Sequence, residues 1–88
     1  MSVSAADIET ALRTALAPQA LAVVDDSHQH VGHAGAREGR HFSVTITSAR
    51  FEGLSRVDRH RLVYDALHSL MPRGIHALAI DARAPQSR

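Results

Sequence analysis

His41-Phe42-Ser43-Val44-Thr45-Ile46-Thr47-Ser48 is the stretch on which the fold turns. Phe42, Val44 and Ile46 fall on one side of an extended chain, and His41, Ser43, Thr45 and Thr47 on the other. That alternation describes a strand with one buried and one wetter face. On its N-terminal side, residues 26 to 40 hold Gly32, Gly35 and Gly39 and read as a loop, preceded by a short strand from Leu21 to Asp25. Further back, residues 4 to 17 read as a helix. Ile8, Ala11, Leu12, Ala15 and Leu16 recur at helical spacing, Ser4 with Asp7 forms a near capping box, and Pro18 closes the element.

On its C-terminal side, Arg50 to Leu54 is a connector with room for one helical turn. Ser55 to about Leu70 reads as a second helix, its core face formed by Val63, Ala66, Leu67 and Leu70, with Asp58, Arg61, Asp65 and His68 opposite. Ile75 to Ala82 is the last strand, and Arg83 to Arg88 a polar tail. The order helix, strand, strand, helix, strand predicts an α+β sandwich, αββαβ, with the helices over one face of a three-stranded sheet. It is expected to be one domain over residues 1–88, with its core at about 4–82.

The 88 residues are 44 % hydrophobic, ordinary for a globular domain. Cysteine is absent, so no disulfide holds the fold, which fits a cytoplasmic setting. No apolar run approaches the roughly 18 residues of a membrane span. The N-terminus lacks the charged start and apolar block of a secretory signal. All ten basic residues are arginine and the net charge is +1, which does not suggest a wholesale nucleic-acid binder.

Histidine is the chemistry-bearing residue, with seven in the chain. His28, His30 and His33 crowd the glycine-bearing loop. They read either as a solvated polar loop or as ligands that a loop can bring onto one ion. His76, by strand alternation, shares with Leu78 and Ile80 the side expected to face the core, where a histidine satisfied by backbone is the alternative to a ligand. His41 opens its strand on the side opposite Phe42. If the loop folds back along the sheet, His30 or His41 approaches His76. His60 shares a helix face with Val63, Tyr64 and Leu67 and suits packing, whereas His68 is on the solvated face. Arg56, Arg59 and Arg61 crowd the first turns of the second helix, against the helix dipole. They read either as a solvated face offset by Asp58 and Asp65 or as an anion contact. The chain shows no H-E-x-x-H, no G-x-S-x-G and no cysteine nucleophile, so catalysis is not expected.

Phe51-Glu-Gly-Leu-Ser-Arg-Val-Asp-Arg-His-Arg-Leu-Val-Tyr64 and Ile75-His-Ala-Leu-Ala-Ile80, with Asp-Asp-Ser-His-Gln-His30 and His41-Phe42, resemble the BolA-like protein family over about residues 6 to 85. The resemblance implies a fold similar to a type II KH domain. It also implies partnership with a monothiol glutaredoxin in iron–sulfur trafficking or iron sensing, the two proteins bridging a 2Fe-2S cluster with glutathione supplied by the partner. The histidine of the I-H-A-L segment, His76, is then one iron ligand. The second comes from the loop, His30 in a histidine-loop type, with His41 in reserve. Histidine pairs replace thiolates on one iron of Rieske-type centres, so a chain without cysteine supplies at most an imidazole half-site. Neutral imidazole is the ligand, so cluster sharing is expected to weaken below about pH 6.5.

The same family implies an alternative, a DNA-binding regulator of stress response and morphology. Arg56, Arg59, Arg61 and Arg73 are the candidate nucleic-acid or partner contacts. The only G-x-x-G, Gly32 to Gly35, falls between two strands, whereas a type II KH domain carries its own between two helices, where this chain has the single Gly53. Alone, the chain is expected to be a monomer or weak homodimer, with no membrane partner.

Overall fold

The computed structural model describes residues 3–26 and 40–85. His28, His30 and His33, the three loop histidines, lie outside them. The order is α1 (Ala5–Leu16), β1 (Ala20–Asp25), β2 (Arg40–Thr47), a 3-10 turn at Ala49–Phe51, α2 (Arg56–Ala66), a second 3-10 turn at Met71–Arg73, and β3 (Ile75–Arg83). The expected αββαβ order is therefore the observed one.

α1 begins with a full capping box. Ser4 Oγ accepts from the Asp7 N–H at 3.2 Å, and Asp7 Oδ2 accepts from the Ser4 N–H at 3.0 Å. Hydrogen bonding to the Asp7 carboxylate, from the Ser4 backbone N–H first and the Ser4 hydroxyl second, holds the Asp7 carboxyl below its usual range. The helix stops at Ala17, whose φ of 44° and ψ of 56° lie in the left-handed region. Ile8, Leu12 and Leu16 form its buried stripe.

β2 is the centre of the sheet, antiparallel to β1 and parallel to β3. A parallel neighbour needs a crossover, and the segment containing α2 supplies it. Phe42, Val44 and Ile46 are buried while Thr45 is exposed, as the alternation predicted. Ser48 leaves the strand and turns inward. Fully buried, its Oγ donates to the Leu16 carbonyl at 2.7 Å and accepts from the Arg50 N–H at 3.1 Å. One hydroxyl thus ties the end of α1 to the exit of β2.

Three boundaries differ from the sequence reading. α2 ends at Ala66, not near Leu70, because the hydrogen bonds tighten there from four-residue to three-residue spacing: His68 N–H to Asp65 O and Leu70 N–H to Leu67 O. The tighter turn still returns Leu67 and Leu70 to the core. β3 runs through Arg83, one residue past the strand end expected at Ala82. Gly74, at φ 132°, makes the turn into β3 and accepts a 2.8 Å bond from the Arg40 N–H.

The third difference concerns His76. In the register, Arg40 is opposite Ile75 but His41 is opposite Ala77, so β3 carries one extra residue at that step. A bulge of this kind resets the alternation. Ile75, Leu78, Ile80 and Ala82 all turn toward the helices, while His76 and Ala77 are both exposed. The expectation that His76 shares the core side with Leu78 and Ile80 is overturned, because a period of two counts through the bulge without seeing it.

Candidate functional site

The bulge delivers His76 to the sheet face that the helices leave open. His41 is already there, at the start of β2 on the side away from Phe42. Their rings stand 5.1 Å apart between centroids, inclined by 36°. Residues far apart in the chain thus meet because β2 and β3 run parallel and both begin at this end of the sheet.

The surroundings keep this corner ordered and open. Asp26, His41, Ser43, Ala77 and Ala79 line a shallow depression beside the rings. The Asp26 N–H donates to the His41 carbonyl at 2.7 Å, and the Ser43 hydroxyl donates to the Asp26 carboxylate. Arg40 NH1 donates to Asp25 Oδ2 at 2.7 Å, pinning the end of β1 to the start of β2. Ala77 and Ala79 leave room above the sheet. Among the described residues no group of three histidine, cysteine, aspartate or glutamate side chains could hold a metal ion. What the fold presents there is a pair of neighbouring imidazole rings.

Of the expected site residues, His76 and His41 are brought together, and His30 lies outside the described residues. The four arginines do not form one patch. Arg61 is exposed and 3.7 Å from Asp58. Arg73, in the second 3-10 turn, faces α1, where its charge helps to lower Asp7. Arg56 and Arg59 lie on the side of α2 that meets β3. Sequence reasoning missed Arg83 and Asp81 beside them. The alternation within Ile75 to Ala82 already put Asp81 on the open face, and continuing it beyond Ala82 would have put Arg83 there too. It also missed the Ser43–Asp26 pair, which depends on a hairpin register that a long loop does not specify.

A family model described as BolA-like protein matches residues 12–87. An uncharacterized protein in the cobS 5′ region of Sinorhizobium sp is 43 % identical over 81 residues, covering 89 % of this chain and 87 % of that one. The protein BOLA1, chloroplastic, of Arabidopsis thaliana is 44 % identical over 78 residues, covering 84 % of this chain; the chain spans only 49 % of that protein's length. The DNA-binding transcriptional regulator BolA of Escherichia coli (strain K12) is 41 % identical over 73 residues, covering 83 % of this chain and 68 % of that one. Among solved structures, a bol-like protein from Babesia bovis superposes with a TM-score of 0.81 at 38 % identity, covering 97 % of this chain and 88 % of that one. No described helix is long and apolar enough to cross a membrane, and the Arabidopsis relative is named as chloroplastic.

Proposed function

The chain belongs to the BolA-like protein family, and on that premise we propose that it partners a monothiol glutaredoxin and lends imidazole ligands to a shared 2Fe-2S cluster, its cargo in iron–sulfur trafficking or iron sensing. The observation that supports this reading is the 5.1 Å approach of the His41 and His76 rings at an open corner of the sheet.

The donor set suits that cargo. Two nitrogen donors can occupy one iron in place of thiolates, and a chain without cysteine must leave the remaining positions to thiols from elsewhere. A glutaredoxin thiolate and glutathione complete the set in this proposal. The protein's contribution is to hold two rings side by side on adjacent strands, so less ordering is needed when the second donor binds. His76 is the fixed ligand. His41 is favoured as the second because its ring already stands against His76, and His30 is its competitor.

The test is to mix the protein with cluster-loaded glutaredoxin and record visible absorption and circular dichroism for wild type, His76→Ala, His41→Ala and His30→Ala. His76→Ala should abolish the heterodimer spectrum. Of the other two, the variant that also alters the spectrum identifies the second ligand. An unchanged spectrum for His76→Ala would refute the ligand assignment.

A second reading, DNA-binding regulation, is favoured by the name of the Escherichia coli relative at 41 % identity. It predicts DNA affinity that falls steeply with salt, with a slope that shrinks when Arg56 and Arg59 are replaced. Lack of binding at low salt removes it. In neither reading is the chain an enzyme.

A further inference from the structure

At the other end of β3 from the histidine pair, arginines from two elements converge on one carboxylate. Arg83 grips Asp81 with two bonds, Nε to Oδ1 at 2.9 Å and NH2 to Oδ2 at 2.8 Å. Arg56 and Arg59 reach the same depression from α2, with His60 in its wall. The Arg83 hydrogen bond foremost, then the charges of Arg83, Arg56 and Arg59, hold the Asp81 carboxyl below its usual range. Arg59 NH1 donates to the Ala82 carbonyl at 3.0 Å, covering a backbone acceptor on the outer edge of β3. Its Nε–H is buried and has no hydrogen-bond partner among the described residues. Arg56 makes no ion pair among them either. Three guanidinium groups therefore surround a single negative charge, leaving donors and positive charge in excess.

We propose that this depression receives a carboxylate from an acidic segment of a partner protein, in a contact separate from the histidine pair. Guanidinium forks match carboxylate geometry, and the exposed guanidinium groups of Arg56 and Arg83 line the depression beside Asp81, with the Arg59 charge behind them. A nucleic-acid backbone fits less well, because it needs cations spaced along successive phosphates. Here Arg61 is turned to Asp58, the Arg73 charge acts on Asp7 of the other helix, and an acidic group, Asp81, lies among the arginines of the depression. Beyond the bulge at His76, the six ladder steps to Arg83 rise by roughly 20 Å at about 3.3 Å per residue, so this contact is separate from the histidine pair, requires no metal and does not rest on the function proposed above.

The experiment is fluorescence anisotropy of a fluorescein-labelled Glu/Ser peptide at low ionic strength, with no metal or glutaredoxin present. Arg56→Gln combined with Arg83→Gln should weaken binding by about tenfold or more, the loss of two charge-assisted contacts. Arg61→Gln combined with Arg73→Gln removes equal charge from elsewhere and should leave binding within about twofold. Asp81→Asn, which frees the Arg83 fork, should tighten binding several-fold. All four side chains replaced in the two double variants are exposed, so the fold is retained and circular dichroism confirms it. Equal losses in the two double variants, or no tightening with Asp81→Asn, overturn the proposal. A DNA duplex that binds more tightly than the peptide through Arg56 and Arg83 overturns it in favour of a nucleic-acid contact.

Discussion

Deleting His76 should leave the protein folded, and this is the sharpest test of the bulge on which the site depends. In the structure the residue is an insertion. Without it, Ile75, Ala77, Leu78, Ala79 and Ile80 alternate regularly, with Ile75, Leu78 and Ile80 still facing the core. The deletion removes an exposed ring and straightens one step of the ladder, so stability should change by about 1 kcal/mol or less, the scale of one hydrogen bond. If β3 were instead a regular strand, removing one residue would turn every later side chain to the opposite face. Leu78 and Ile80, half-buried, and Ala82, buried, would then be exposed at a combined cost of about 3–4 kcal/mol. That is a large part of the roughly 5–15 kcal/mol holding a domain together. Urea denaturation followed by far-ultraviolet circular dichroism separates the two outcomes. Deleting Ala77 instead makes a useful companion, since His76 then becomes the direct ladder partner of His41 and the ring pair survives. Loss of stability by several kcal/mol on deleting His76 would refute the bulge.

Three further outcomes follow from local geometry. Ser48→Ala leaves the Leu16 carbonyl and the Arg50 N–H without their partner, and at about 1–1.5 kcal/mol each it should cost about 2–3 kcal/mol in chemical denaturation. Ala17→Gly relieves a left-handed residue, and after the added chain entropy it should stabilise by about 0.5–1 kcal/mol, read as a raised Tm. Asp7, whose folded-state pKa is depressed, contributes stability that is present above its unfolded value of about 3.9 and is lost as pH falls through the lower folded value. Asp7→Asn should therefore be less acid-sensitive than wild type between pH 5 and pH 2 in a pH series of thermal melts, about the window such a carboxyl spans.

Local rules carried the elements because each rests on neighbours in the chain. The capping box at Ser4 and Asp7, the alternation of Phe42, Val44 and Ile46, and the Ser55 start of α2 need nothing beyond a few adjacent residues. The helix end at Ala66 was misread because the 63, 66, 67, 70 spacing suits a tight turn as well as an α-helix. Arg83 was lost because a polar strand end and a polar tail have the same composition.

What the sequence by itself determined is the αββαβ order, the buried face of β2 and the family; for the histidines it offered His76 with His30, and His41 in reserve. The tertiary structure decided that His41 is the histidine placed against His76 among the described residues, that His76 faces the open side of the sheet, and that Arg56 and Arg59 join Arg83 and not Arg61 or Arg73. The reason is physical. Periodicity reports which side of its own element a residue occupies, whereas a one-residue bulge, a parallel register and a helix laid along a sheet edge are set by packing between elements distant in the chain.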